Sequence, residues 1–189
     1  MIKTLYKCFQ HWSEKGSVYL ISDTHFDDID CKLMDKNWIT PEEHIKKLST
    51  ITKNDTLIHL GDVGNPEYLN KLKCRKVLIM GNHDQSSEKF KLYFNEIYSG
   101  PLMIAEKLII SHEPLNINWA FKIHGHDHNK VEVYREDCKH LNLAANVCNY
   151  TPVSLGKIIK DGILADIPSI HRMTIDRAIT KKEQSEFVE

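Results

Sequence analysis

Eight side chains have the types and placement to do chemistry together: Asp23, His25, Asp62, Asn82, His83, His112, His126 and His128. Carboxylate and neutral imidazole are the ordinary ligands of Zn²⁺, Mn²⁺ and Fe²⁺, and an amide oxygen adds a weaker, neutral one. Seven such oxygen and nitrogen ligands are too many for one tetrahedral ion but suit two ions that share a carboxylate. Two ions about 3.5–4 Å apart clamp both the attacking and the leaving oxygen of an in-line phosphoryl displacement. Histidine is the residue in excess, 11 in a chain of 189, and its placement gives the excess meaning.

Each candidate follows a short apolar run. VYLIS (18–22) leads into Asp23-Thr24-His25, TLIHL (56–60) into Gly61-Asp62, and KVLIM (76–80) into Gly81-Asn82-His83-Asp84. KLIIS (107–111) meets His112, and FKIH (121–124) meets Gly125-His126-Asp127-His128. Runs of this length, bounded by Gly or Asp, read as buried strands. Helical candidates lie between several of them: 41–52, which opens on Pro41 followed by Glu42 and Glu43, then 66–72 and 86–94. Strand alternating with helix predicts an α/β layered fold. Beyond about residue 97 the strand-like pieces follow more closely (IYSGPLMIAEKLIIS, VEVYR, HLNLAANV), which predicts a partly antiparallel or mixed sheet. Ligands of open α/β sheets bind beyond the carboxyl ends of strands, so the eight residues are expected to converge at one edge. If the extended conformation continues, Asp23-x-His25 and His126-x-His128 each place two side chains on one face. Gly61, Gly81 and Gly125 allow tight turns that fold the ligands over the metals.

The ordered set D-x-H, GD, GNHD, H and GHxH resembles the calcineurin-like metallophosphoesterase superfamily over residues 23–128. Its small stand-alone bacterial or phage-encoded members are nearest. The resemblance implies a two-sheet β-sandwich flanked by helices, a four-layer α-β-β-α fold. It implies that Asp23, His25 and His128 hold one divalent metal, that Asn82, His112 and His126 hold a second, and that Asp62 bridges them. Mn is the expected metal, and Fe, Zn or Ni are compatible with the same ligands. It further implies that a hydroxide between the metals attacks phosphorus, that His83 assists the departing oxygen, and that Asp84 orients the His83 ring. The physical demand is sound, because hydroxide at neutral pH needs a Lewis acid and a departing alkoxide needs a proton or positive charge. The expected activity is a phosphodiesterase acting on a small-molecule or nucleotide-like phosphoester.

Departures narrow the class. The second motif, Gly61-Asp62-Val63-Gly64-Asn65-Pro66, lacks the longer, arginine-bearing form of the Ser/Thr protein phosphatases, and GNHD stands where they carry GNHE. DNA-repair nucleases of the superfamily add DNA-binding parts that 189 residues with a net charge of −1 do not supply. The competing reading is a non-catalytic interaction module on the same fold, as in a subunit of the retromer coat. That subunit lacks the GNHD-type histidine, whereas His83 is present here with all seven ligands. A metal-storage or sensing domain would need neither His83 nor Asp84.

One domain over residues 1–189 is expected, with a peripheral extension from about residue 166. A composition 41% hydrophobic and 27% charged is that of a folded chain, and the near-zero net charge gives no electrostatic case for nucleic acid or an anionic membrane. No apolar run exceeds four residues, against about 20 for a membrane helix. The N-terminus, MIKTLYKCFQHW, lacks the apolar core of a signal peptide, so a soluble cytoplasmic protein is expected. Cys8, Cys31, Cys74, Cys138 and Cys148 are odd in number and widely spaced, and read as buried reduced thiols. His59 and His124, inside apolar runs, read as satisfied core histidines supporting the site. Asp127 should point away from the ligands on either side of it. His11, His44, His140 and His171 default to surface or packing roles, and Lys71, Lys73, Arg75 and Lys76 to a solvated face.

Overall fold

The structure, a computed structural model, describes residues 1–129, 139–164 and 167. Cys138, His171, the VEVYR piece and, Ile167 aside, the extension expected from about residue 166 lie outside the described residues. The elements in chain order are β1 (Val18–Ile21), α1 (Cys31–Met34), α2 (Pro41–Leu48), β2 (Thr56–His59), β3 (Arg75–Ile79), β4 (Glu96–Tyr98), β5 (Leu102–Ala105), β6 (Leu108–Ile110), β7 (Phe121–His124), β8 (His140–Asn142), β9 (Val153–Ser154) and α3 (Leu155–Lys160). They build two sheets, one ordered β4-β3-β2-β1-β9 and the other β5-β6-β7-β8. β1 to β4 run parallel, with β9 antiparallel on the edge. β6, β7 and β8 are parallel, and β5 pairs antiparallel with β6. The mixed pairing expected beyond residue 97 is therefore present.

Strands covered on both faces read as continuous apolar runs, and that is why the five motif-bearing strands are legible in the sequence. Alternate residues separate the two layers of core. Leu20, Ile58, Val77 and Ile79 face Ile104, Leu108, Ile110 and Ile123 across the space between the sheets. Ile21, Leu57 and Leu78 point the other way, under Ile45 and Leu48 of α2 and beside Leu69, Phe90 and Phe94. The result is a two-sheet sandwich with short helices against it, and α3 adds Leu155 and Ile158 to the inter-sheet core.

α2 starts where the sequence places it. The Thr40 backbone N–H donates to Glu43 Oε2 at 2.9 Å, and Glu43 N–H donates to Thr40 Oγ1 at 3.3 Å, a capping box with Pro41 at the first helical position. The other two helical candidates are corrected to 3₁₀ turns, Pro66–Lys71 and Ser87–Phe90. Each is short, begins on an Asn65 or Ser86 side chain that accepts from the residue two ahead, and needs only enough turns to bury Leu69 or Phe90. Cys31 and Cys74 are the buried free thiols expected, but Cys8 is exposed and Cys148 half-buried. Arg75 of the basic stretch pairs with Glu96 at 2.8 Å. Among the described residues no helix is long and apolar enough to cross a membrane.

Candidate metal centre

The loops after β1 and β2 continue the parallel pairing beyond the strands. Asp23, His25 and Phe26 backbone N–H groups donate to Gly61, Asp62 and Val63 carbonyls at 2.9, 3.0 and 3.0 Å. The second sheet is tied to this edge by several bonds, among them Ser22 N–H donating to Leu143 O at 3.0 Å. His112 Nδ1 donates to Leu60 O at 2.8 Å, and His126 N–H donates to Asp23 Oδ2 at 2.9 Å.

These ties gather all seven expected ligands. Asp23, His25 and His128 form one group and Asp62, His112 and His126 another; in each, the candidate ligand atoms lie within 4.8 Å of one another. Asn82 joins the second group, its Oδ1 2.8 Å from His112 Nε2 and 3.1 Å from His126 Nδ1. Asp62 stands between the groups: its Oδ2 is 3.7 Å from His25 Nε2 and 3.4 Å from His112 Nε2.

The extended-chain argument for D-x-H and H-x-H does not hold. Asp23 (φ 54°), His25 (φ 40°), Asp62 (φ 56°) and His126 (φ 68°) are left-handed, four of the seven non-glycine residues with positive φ among the described residues. Side-chain alternation therefore ends with the strands, and His126 and His128 serve different groups. Such backbone persists only where surrounding contacts over-determine it. Of the three glycines, Gly61 takes a positive φ of 100°, while Gly81 and Gly125 are needed for space. A β-carbon at Gly81 would overlap the Asp62 carboxylate, and one at Gly125 would overlap Ser22 Oγ and the Asp23 carboxylate.

Three rings are aimed by oxygens on their outer nitrogens. Besides the His112–Leu60 bond, His25 Nδ1 lies 3.1 Å from Asp28 Oδ2. His128 Nδ1 lies 3.3 Å from Asn146 Oδ1, and Asn146 Nδ2 donates to His128 O at 2.7 Å. Carbonyl and carboxylate oxygens only accept, so each ring keeps a proton on Nδ1 and directs Nε2 inward, where a neutral ring would offer its lone pair to a metal. Asp28 and Asn146 were not singled out from the sequence. Asp28 sits three residues after His25 and was within reach of a local reading; Asn146 has no local signal. His59 and His124 are satisfied core histidines as expected. His59 Nε2 meets Thr24 Oγ1 at 3.0 Å and its Nδ1 accepts from Gly61 N–H at 3.2 Å, while His124 Nδ1 donates to Gly125 O at 2.7 Å. Both brace the glycine turns beside the ligands.

Electrostatics favour a cation here. Asp23 Oδ1 and His25 Nε2 are buried without a hydrogen-bond partner among the described residues; an orphaned buried polar atom costs about 1–3 kcal/mol. Burial pushes the Asp23 carboxyl pKa up, with the His112 and His128 charges and Ser22 opposing it. Burial also acts to raise Asp62, but His112 and the His83 N–H outweigh it and bring the carboxyl down to about 2. Burial acts to lower His112, yet Asp62 and Asp23 lift it to about 9. Divalent metal ions fit this donor set, which supplies anionic oxygens, inward-facing nitrogens and two unpartnered atoms.

His83 is exposed beside the centre. Its N–H donates to Asp62 Oδ1 at 2.9 Å and its ring centroid lies 5.3 Å from that of His25. Asp84 departs from the expected role. Its carboxylate accepts backbone N–H groups of Asp62 (2.8 Å), Gly81 (2.9 Å) and Val63 (3.1 Å) instead of orienting the His83 ring. It thereby pins the GD loop to the GNHD loop. Asp84→Ala strands these buried donors and is expected to lower unfolding free energy by about 2–4 kcal/mol in urea titration. Full stability with turnover alone reduced would return Asp84 to the chemistry.

Residues 17–147 match the calcineurin-like phosphoesterase superfamily domain. An uncharacterized protein of Methanocaldococcus jannaschii is 32% identical over 170 residues, 76% of this chain and 89% of that protein. The crystal structure of a protein of unknown function from Aquifex aeolicus superposes with a TM-score of 0.64 at 27% identity, over 76% of this chain and 98% of that one. A Pseudomonas putida nuclease, MPE, gives 0.44 at 20% identity, over 58% of this chain and 60% of that one. The superfamily's chemistry is metal-dependent hydrolysis of phosphate esters, for which the paired His/Asp groups are suited. This chain is a member of the calcineurin-like phosphoesterase superfamily.

Proposed function

We propose that this protein is a phosphodiesterase with a two-metal centre. Asp23, His25 and His128 would hold one ion, Asn82, His112 and His126 the other, and Asp62 both. The observation that carries the reading is the Asp62 carboxylate oxygen lying 3.7 and 3.4 Å from ligand nitrogens of the two groups. Bound divalent metals supply Lewis acidity, lowering the pKa of water and neutralising charge that develops on phosphorus. Three oxygen ligands beside four imidazoles are compatible with Mn²⁺, Fe²⁺, Zn²⁺ and Ni²⁺, and Mn²⁺ is the ion proposed. His83 is the residue free to meet the leaving oxygen, because its main chain is fixed on Asp62 while its ring faces solvent.

The surface supports diesters over monoesters. Two pockets, of about 390 and 520 Å³, share His25, Phe26, Asp27 and Asp28 as the ridge between them, and a third, of about 290 Å³, borders the centre at Asn82 and His112. A diester has two organic arms to place and a monoester has one. The buried free thiols Cys31 and Cys74 support a reducing, cytoplasmic setting.

Hydrolysis of bis-p-nitrophenyl phosphate against p-nitrophenyl phosphate, with Mn²⁺ and then with EDTA, tests the proposal. Mn²⁺-dependent release favouring the diester is expected; no release from either ester would overturn it. Metal should also stabilise the fold, because it binds only the assembled site. At free Mn²⁺ about 100 times its Kd the gain is about 2.7 kcal/mol. The stripped protein should melt lower and recover on adding Mn²⁺, and an unchanged melting temperature would count against a preformed centre.

A further inference from the structure

The 390 Å³ pocket beside the His25–Asp28 ridge has walls that the hydrolytic reading does not use. Trp38 stands half-buried at its inner side, its ring centroid 6.0 Å from that of His25 and 5.6 Å from that of His128. Phe26, Ile39 and the 93%-exposed Ile29 add apolar surface. His44 also lines it, 1% exposed, with an Nε2 that has no hydrogen-bond partner among the described residues. Tyr150, whose ring is 5.2 Å from that of His44, likewise buries an unpartnered hydroxyl. Burial pushes the His44 pKa down to about 3, so the ring is neutral and offers hydrogen bonding without charge.

We infer that this pocket is a nucleobase subsite, receiving the uncharged heterocyclic arm of a nucleoside phosphodiester between Trp38 and the Phe26–His44 side. The inference rests on the phosphodiesterase reading and names its substrate class. Three features select the occupant. Asp27 and Asp28 on the shared ridge outnumber Lys32, the one cation of the lining, so the pocket disfavours a second anionic group and the arm is uncharged. The half-buried Trp38 face favours a flat ring, since every base offers a face for stacking. The polar minority at His44 favours a ring whose edge can exchange hydrogen bonds, which a plain phenyl or alkyl arm cannot do. The geometry also orders the two arms. His83 lines the other pocket, so the leaving oxygen belongs there and the nucleoside stays on phosphorus. A water oxygen bonds to phosphorus, the P–O bond to the leaving group breaks with its electron pair, the water proton passes to solvent, and a nucleoside monophosphate remains.

Three diesters with one leaving group test the idea: the p-nitrophenyl esters of thymidine 5′-monophosphate, phenyl phosphate and methyl phosphate. The kcat/KM for the thymidine ester should exceed that for the methyl ester by between about fivefold and a hundredfold, the scale of one base–aromatic stack, and should exceed that for the phenyl ester too. Trp38→Ala should erase most of the thymidine-to-methyl ratio, and Trp38→Phe, which keeps a stacking face, should retain much of it. Calorimetry on the Mn²⁺-loaded protein should show thymidine 5′-monophosphate binding more tightly than methyl phosphate, with the difference shrinking in Trp38→Ala. Equal rates on all three esters, or phenyl matching thymidine, would sink the subsite while leaving the phosphodiesterase reading intact. Preferential nucleotide binding without hydrolysis of any ester would do the reverse.

Discussion

Asp62→Asn is expected to cut phosphodiester turnover by about 10³-fold or more, beyond the 10–100-fold typical of losing an outer-shell partner of a metal site. At least one metal equivalent should be lost by elemental analysis. Asparagine is nearly isosteric and tolerates the left-handed backbone that Asp62 adopts at φ 56°, so the loop should survive the change. What disappears is an anion. Asp62 is 2% exposed and held ionised, and its Oδ2 faces both ligand groups. A neutral amide in its place would leave the two proposed cations with one carboxylate fewer to balance them. Full occupancy with near-normal turnover would place the bridge elsewhere.

His83→Ala separates chemistry from metal holding. Its ring belongs to neither ligand group, so both metals should remain bound and the metal-saturated melting temperature should stay within about a degree or two of wild type. Turnover of an alkyl diester should fall by about 10²–10⁴-fold, the usual worth of a positioned acid or base. Bis-p-nitrophenyl phosphate should suffer less, because p-nitrophenolate leaves with little need of a proton. If the variant sheds its metals, His83 is a ligand. If it cleaves alkyl diesters at the wild-type rate, the leaving-group role assigned to this histidine is wrong.

The separate fates of His83 and Asp84 show how far a motif carries. GNHD places four residues after β3 and ties them to a family, but it does not say which groups each side chain meets. The Asp84 carboxylate went to three backbone N–H groups, two of them on another loop that comes within reach only when β2 and β3 pair. Asn146 is a similar case. It aims His128 from 18 residues away, by way of a chain path no local pattern describes.

Strand identity and order of ligands are local properties. A buried strand must be apolar over its length, and the first polar residue after it lies at its carboxyl end, so Asp23, Asp62, Asn82, His112 and His126 were legible as one edge from the sequence. The start of α2 at Pro41 was legible for the same reason, since the Thr40–Glu43 bonds that fix it close within four residues. The direction of each side chain was not. Expecting extended chain through D-x-H and H-x-H assumed that strand geometry continues, whereas Asp23, His25, Asp62 and His126 turn left-handed just beyond it. That conformation is unfavourable for each residue alone. It is stabilised by bonds between loops after different strands, such as Asp23 N–H to Gly61 O and His126 N–H to Asp23 Oδ2. The sequence thus determined which residues reach the edge, because burial and alternation act along the chain. Only the packing of two sheets decided which ligand nitrogens face Asp62 and that Asp84 holds loops together, because those contacts join residues far apart in sequence.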